Sequence, residues 1–404
     1  MRKDGTVDNG WRNADNLMLR MAPLLRGAIA EPSGDDDEPY RRAILQVETG
    51  EEALAFVNHK QAEKNRPCPV NTEGCQFPPL WLEATNSDDS AEVLREKIGN
   101  AVEKYRLHHN YSPQVFFCPG AGIVTAGSYA CANCSNDSLT NKIAVVTGSA
   151  GAIGSGICEA LLGKGCLVAA TDLGGERLDA LVSELEKVDS DRVMGVPMDV
   201  TDSNSVKKAF EQVVWKWGGV DITVINAGLA MVSGLMEMEL EEFRALEKVN
   251  VEGTLLVLAE AGRCLSLQGL GGDIVLISTK NVFAPGAQFG AYSATKAAAH
   301  QLCRIASLEF APAKIRVNMV SPDAVFSHGE RKSGLWAKVG PDRMRKRGLD
   351  EKGLEEYYRS RNLLQAQITA RHVANAVLFF VTRQTPTTGA TIPVDGGLSD
   401  ASPR

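Results

Sequence analysis

Lys142-Ile-Ala-Val-Val-Thr-Gly-Ser-Ala-Gly-Ala-Ile-Gly-Ser-Gly156 is the stretch whose reading decides the fold. Ile143 to Val146 is a four-residue apolar run, of the kind that forms a strand buried on both faces. Gly148, Gly151 and Gly154 crowd the turn that follows, and Ile157-Cys-Glu-Ala-Leu-Leu162 continues with helical character. A strand, a glycine turn and a helix give a glycine cluster its meaning, because the helix N-terminus then offers free N–H groups to a pyrophosphate. The next strand, Cys166 to Thr171, ends in Asp172, at roughly the spacing expected of an acid that binds the adenosine ribose. The stretch is therefore read as a dinucleotide-binding turn.

Working downstream, apolar runs and helical patterns alternate. Strands are expected at Val193–Val196, Asp221–Ile225, Asp273–Ile277, Ile315–Val320 and Thr391–Val394. Between them helices are expected at Glu176–Val188, Val206–Trp217, Met238–Cys264 and Tyr292–Glu309. That alternation predicts an α/β fold, a Rossmann-type doubly wound parallel sheet covered on both faces. Asp199 and Val200 follow the third strand, where a carboxylate reaches the adenine ring. Val325 to Ala370 leaves the rhythm and would fall after the sixth strand, at the carboxyl edge. Ten basic residues against six acidic ones between Glu330 and Arg361, with Trp336, Tyr357 and Tyr358, suit a lid over an anionic substrate or product.

Upstream, the composition shifts twice. Residues 13 to 30 read as a helix and Glu31 to Glu38 as an acidic, turn-rich linker. A strand at Ala43–Val47, a helix at Glu51–Asn58, a helix at Ser90–His108 and a strand at Gln114–Cys118 follow. Asn65 to Pro79 holds four prolines and reads as loop, and the small, polar Ser128–Asn141 as an interdomain linker. The expected division is a smaller α/β domain over 1–138, without catalytic residues, and a dinucleotide-binding domain over 139–404. Cys131-x-x-Cys134 has ligand spacing, but Cys68 and Cys75 upstream do not, so no metal site is expected.

The 404 residues carry 44% hydrophobic and 23% charged residues and a net charge of −7. That mild acidity argues against nucleic acid or an anionic membrane as partner. No apolar run reaches membrane-spanning length, and residues 1 to 30 show no signal-peptide cleavage pattern. Nine cysteines, an odd number spread over a long chain, fit reduced thiols and a cytoplasmic location. Cys158, Cys166, Cys264 and Cys303 sit in apolar surroundings and read as core thiols, and His300 as a residue of a packed face or subunit contact.

Thr147-Gly148-x-x-x-Ala152-x-Gly154, Asn226-Ala227-Gly228, Asn250, Tyr292-x-x-x-Lys296 and Asp395-Gly396-Gly397 resemble the short-chain dehydrogenase/reductase family in order and spacing. Ala152 stands where that family usually has glycine, Ile225 replaces an asparagine, and Asp323 follows Pro322 where glycine is common. The resemblance implies an NAD-dependent oxidoreductase acting on a small molecule as a homodimer or homotetramer. It places Asn250, Thr279, Tyr292 and Lys296 in catalysis. Gly148, Ala152, Ile153, Gly154, Asp172, Asp199, Val200, Asn226, Ala227, Gly228, Tyr292, Lys296 and Val325 would hold the cofactor. Asn250 would hold a water linking Lys296 to solvent.

Physical chemistry supports the same assignment. Tyrosine is a poor base at its usual pKa of about 10. Lys296, four residues on, shares a helical face with Tyr292 and brings a cation to the phenol. The Thr279 hydroxyl can hold the substrate oxygen, while strand alternation turns Ser278 to the opposite face.

A narrower resemblance lies in Thr279-Lys-Asn-Val-Phe-Ala-Pro-Gly286 and Asn318-Met-Val-Ser-Pro-Asp-Ala-Val325. They are similar to the dehydrogenase half of bifunctional rhamnulose-1-phosphate aldolase/lactaldehyde dehydrogenases. Pro39-Tyr-Arg-Arg42, Ala53–Asn58 and Pro119–Gly127 resemble parts of the aldolase half, whose zinc-binding histidines are missing here. The expectation is a lactaldehyde-like substrate and an aldolase remnant without zinc or aldolase activity. The alternatives are a polyol or sugar-phosphate dehydrogenase, such as one for sorbitol 6-phosphate, and a regulatory protein that binds NAD without turnover.

Overall fold

The computed structural model describes residues 9–58, 78–128, 139–398 and 401. The chain divides into two compact units. The first takes the described part of residues 1–130 together with 211–219 and 264–270.

In the first unit, α1 (Asn9–Ile29) is followed by a two-residue hairpin, β1 (Glu31–Pro32) with β2 (Tyr40–Arg41). Then come β3 (Ile44–Glu48), α2 (Glu51–Asn58), β4 (Leu80–Trp81), α3 (Ala91–His109), β5 (Val115–Cys118) and β6 (Gly122–Gly127). Four of these strands form one sheet in the order β3-β6-β5-β4. Leu17, Met21 and Leu25 of α1 and Leu94, Ile98 and Val102 of α3 bury one helical stripe each in a shared core. Arg26, fully buried, is satisfied by the Ala43 carbonyl at 2.8 Å and the Gln268 side chain at 2.9 Å.

Two sequence expectations change here. The acidic linker supplies one arm of the β1–β2 hairpin, with Ser33, Asp35 and Glu38 tied in a polar turn. The strand β6, unforeseen, pairs with both β3 and β5 through its Ile123-Val124-Thr125 run. Cys68, Cys75, Cys131 and Cys134 lie outside the described residues, as does most of the linker before Asn141.

Downstream of the linker the chain runs β7 (Ile143–Thr147), α4 (Ala152–Leu162), β8 (Leu167–Asp172), α5 (Glu176–Asp189), β9 (Val193–Pro197), α6 (Ser203–Trp217) and β10 (Ile222–Ile225). It continues with α7 (Leu240–Glu247), α8 (Gly253–Gln268), β11 (Gly272–Ile277), α9 (Gly290–Glu309) and β12 (Ile315–Pro322). After β12 come the hairpin β13 (Ser327–His328) and β14 (Arg331–Lys332), then α10 (Gly334–Arg347), α11 (Glu351–Ser360), α12 (Ala370–Val381) and β15 (Thr391–Val394). Seven of these strands form a parallel sheet in the order β15-β12-β11-β10-β7-β8-β9. The order reverses at β7, so a crevice opens beyond the carboxyl ends of β7 and β10.

Burial explains why those strands read as unbroken apolar runs. β7, β10 and β11 are buried at every position, because helices cover both faces. Ile157, Leu161, Val373 and Val377 of α4 and α12 share one core with Val146, Val224 and Val275. Each such side chain stabilises the fold by about 1.5–3 kcal/mol on burial. Cys158 and Cys166 belong to that core, and burial pushes their thiols and that of Cys303 on α9 well above the usual range.

The helix expected from Met238 to Cys264 begins at Leu240 and is interrupted by a five-residue π-turn, Lys248–Glu252. No local pattern marks it in the sequence.

Candidate active site

The glycine turn brings β7 into α4 through close backbone approach. Gly148 has φ +62, and a β-carbon there would lie 2.8 Å from the Cα of Ala227. At Gly154 a β-carbon would meet the Gly148 carbonyl oxygen at 2.4 Å, a distance no methyl tolerates. Ala152 opens α4, where its methyl is buried without conflict, which accounts for an alanine at that position. Thr147 joins the turn to the loop after β10: its hydroxyl accepts N–H bonds from Asn226 and Ala227, both at 2.9 Å. Asn226 returns bonds from Nδ2 to the carbonyls of Thr147 and Gly148 at 3.0 and 2.8 Å.

A cleft of about 880 Å³ lies over this arrangement. Gly148, Ala152, Ile153, Asp172, Asp199 and Val200 line one end. Asn226, Ala227 and Gly228 line the middle, and Thr279, Tyr292, Lys296 and Val325 the other end. Gly154 and Asn250 are the two expected site residues that do not reach it. Gly154 is the close-packing position just described. Asn250 is fully buried in the π-turn and clamps the loop after β10. It accepts from the Leu229 N–H at 2.9 Å and donates to the Leu229 carbonyl at 2.9 Å and the Thr295 hydroxyl at 3.0 Å.

The residues fit a dinucleotide. α4 starts at Gly151 without a side-chain cap, so its first N–H groups are free for a pyrophosphate. Asp172 fixes the turn by accepting from the Ala150 N–H at 2.9 Å, and its carboxylate faces the same end of the cleft. Arg177, which sequence reasoning missed, lines that end too and donates to the Ala150 carbonyl at 3.3 Å. Its signal was its place in the first turn of the helix after Asp172. Asp199 is held by the Thr201 N–H and hydroxyl at 2.9 and 2.8 Å.

At the other end Tyr292 and Lys296 sit one turn apart on α9, both buried. Burial pushes the Tyr292 phenol up to about 12, opposed by the neighbouring Thr279 hydroxyl. Burial brings the Lys296 ammonium down to about 8. Lys296 donates to the Ile277 carbonyl at 2.9 Å. In the protein alone, desolvation of the phenol therefore outweighs the opposing effect of the Thr279 hydroxyl. A β-carbon on Gly228 would lie 3.1 Å from Asn250 Oδ1 and 3.3 Å from Lys296 Nζ, so glycine there lets the loop close over both groups.

Ser278 lines the same cleft as Thr279, and its hydroxyl shares a 3.0 Å hydrogen bond with His300 Nδ1. His300 is buried and also meets the Thr391 hydroxyl at 3.3 Å, so it ties α9 to the sheet. Among the described residues no cluster of three metal-ligating side chains occurs, and no helix is long and apolar enough to cross a membrane.

The segment after β12 forms the outer wall. Phe326, Trp336 and Tyr358 pack ring on ring at 4.6 to 5.7 Å. Trp336, Arg343, Arg347, Tyr357, Tyr358 and Arg361 line the cleft from it.

Residues 142–337 match the family model described as short chain dehydrogenase. A sorbitol dehydrogenase of Cereibacter sphaeroides is 32% identical over 200 residues, covering 50% of this chain and 76% of that protein. The chain belongs to the short-chain dehydrogenase/reductase family. It is an oxidoreductase, and its family draws on NAD or NADP as hydride carrier. The uncharacterized oxidoreductase YuxG of Bacillus subtilis (strain 168) is 28% identical over 456 residues, covering 96% of this chain. The chain spans 65% of the length of YuxG. The crystal structure of sorbitol-6-phosphate 2-dehydrogenase SrlD from Erwinia amylovora superimposes with a TM-score of 0.59 at 26% identity, over 63% of this chain and 98% of that one.

Proposed function

We propose that this dehydrogenase moves hydride between NAD and a carbon bearing a hydroxyl in a short, polar substrate. One observation carries the reading: a buried Tyr292 and the Thr279 hydroxyl stand in the same cleft as a glycine turn closed by Asp172. Bound NAD supplies the hydride acceptor and a positive charge on its oxidised ring. Tyr292 takes the hydroxyl proton, Thr279 holds the substrate oxygen, and Lys296 keeps a positive charge close to the phenol. Asn250 holds the Leu229 loop and Thr295, the residue before Lys296, and serves the expected water relay. Asp172 favours NAD, since its charge repels a 2′-phosphate.

The substrate of first choice is a hydroxy-aldehyde such as lactaldehyde, supported by the resemblance of Thr279–Gly286 and Asn318–Val325 to lactaldehyde dehydrogenases. An aldehyde reacts here as its hydrate, because hydride leaves only from a carbon whose hydroxyl Tyr292 can deprotonate. A polyol or sugar phosphate is the second choice, favoured by the arginines of the outer wall and by the names of the sorbitol and sorbitol-6-phosphate relatives. The protein would work as a cytoplasmic homodimer or homotetramer, with residues 1–138 as a non-catalytic, aldolase-derived domain.

A screen of short hydroxy-aldehydes, polyols and sugar phosphates, read at the absorbance of reduced nicotinamide, tests the reading. Turnover within that set is expected. Efficient turnover of large apolar alcohols or steroids, with none of the set, rejects it.

A further inference from the structure

Beside the outer wall, five cations and one carboxylate line the cleft: Lys280, Arg343, Arg347, Arg361 and the exposed Lys338, with Asp323. Arg361 and Asp323 neutralise each other at 2.8 Å. The ion pairs of the described residues leave Lys280, Arg343 and Arg347 without a carboxylate, since Asp342 on α10 is taken by Arg345 and Lys346 at 2.6 and 2.9 Å. Arg343 is the decisive member. It is 6% exposed, its Nε has no hydrogen-bond partner, and its only bond runs from Nη2 to the Ala287 carbonyl at 3.3 Å. The Nε of Arg361 is likewise buried and unsatisfied. A buried guanidinium with an unmet N–H costs free energy unless an anion completes it.

We infer that Lys280, Arg343 and Arg347 form an anion subsite for the phosphate monoester at the far end of a short hydroxylated substrate. The inference rests on Tyr292 being the place where the hydroxyl reacts, and it takes the sugar-phosphate reading of the substrate over lactaldehyde. Arg343 stacks 4.3 Å from the Phe289 ring centroid, which lies 6.0 Å from that of Tyr292, so one ring separates the cation from the reacting end. A molecule of a few carbons with a hydroxyl at one end and an anion at the other spans that gap. Three uncompensated cations match a phosphate dianion with three terminal oxygens better than a carboxylate with one charge and two. The mutual strain of the cations is visible at Lys280, whose ammonium is pushed down by burial and by Arg361 and Arg343, against the pull of Asp323. Arg347 is braced by Tyr357, 4.7 Å below its guanidinium.

The test is calorimetric titration of the full chain, saturated with NADH so that the glycine turn is filled, with glycerol 3-phosphate, glycerol and glycerate. Glycerol 3-phosphate should bind, with glycerol and glycerate at least about tenfold weaker. Arg343→Gln and Lys280→Met should each weaken the phosphate ester by roughly tenfold to a hundredfold. Arg343→Lys, which keeps the charge and the fold, should fall between. Lys352→Gln, on an exposed side chain of α11, should leave the affinity unchanged. No binding of the ester, equal binding of glycerate, or unchanged affinity in Arg343→Gln overturns the subsite. NADH binding is read in the same series: its failure strikes at the oxidoreductase reading of the cleft, whereas NADH binding without the ester strikes at the subsite alone.

Discussion

Arg361 donates from Nη2 to the Asp323 carboxylate at 2.8 Å while its guanidinium lies 4.2 Å from the Tyr358 ring centroid. The aspartate thus fastens the end of β12 to the end of α11, which gives a physical reason for an acid after Pro322. Asp323→Ala would leave Arg361 stacked but unpaired. With the Arg361 side chain 26% exposed, the loss should be about 1–3 kcal/mol, below the value for a fully buried pair. Thermal unfolding measures it, and KM should rise while NADH affinity stays constant. A KM equal to wild type would show that the outer wall holds its place without this bond.

Tyr292→Phe removes the proposed base and keeps the ring packed against Phe289. Turnover should fall by roughly 10²–10⁴-fold, the usual worth of positioned acid–base catalysis, with NADH binding preserved. A variant keeping more than about a tenth of the wild-type rate would require another base.

Stability should depend on pH through Lys296. Its ammonium is brought down to about 8 in the folded chain, below its value in the unfolded chain. Between about pH 8 and pH 10 the unfolded chain binds the extra proton, so this group makes stability rise with pH there. The buried thiols act oppositely, because their raised values cost stability above about pH 8.5. Lys296→Met isolates the lysine: the stability difference, wild type minus variant, should grow between pH 7.5 and pH 10. Urea midpoints at each pH read it, and a flat difference would place the ammonium in a solvated setting.

Asp172→Ala should narrow the preference for NAD over NADP. Arg177 lines the same end of the cleft and is left without the neighbouring acid, so the gain should appear as a higher kcat/KM with NADP. Wild-type efficiency with NADP equal to that with NAD would contradict the role given to Asp172.

Gly154→Ala should damage both fold and cofactor site. The methyl has backbone at 2.4 and 2.7 Å, from Gly148 and Ser149, and neither atom can swing aside. The expected cost is about 1–3 kcal/mol, with weakened NADH binding, seen together in thermal unfolding and fluorescence titration.

Much of the second unit was legible because its signals are local and mutually consistent. The runs Ile143–Val146 and Asp273–Ile277 could only be doubly buried strands, and Asp172 had to follow at the end of β8. What stayed hidden depends on partners remote in the chain. β6 is short and glycine-flanked, and only pairing with β3 and β5 makes it a strand. Arg343 reads as one more charge on a basic helix, and only its burial against Phe289 sets it apart from exposed Arg345. Asn250 was found by its motif, but its two bonds to the Leu229 backbone and one to Thr295 arise from a turn that no propensity announces.

That π-turn over Lys248–Glu252 closes its bonds five residues apart, so α7 and α8 are joined by one residue more than an unbroken α-helix would hold. A point substitution neither adds nor removes a residue. The placement of Asn250 under the Leu229 loop is therefore stored in a count, the number of residues between Leu240 and Gln268. In descent from a common ancestor the solvent-facing identities around it are free to drift, whereas a single-codon deletion there would rotate Asn250 by about a hundred degrees and withdraw it from Leu229.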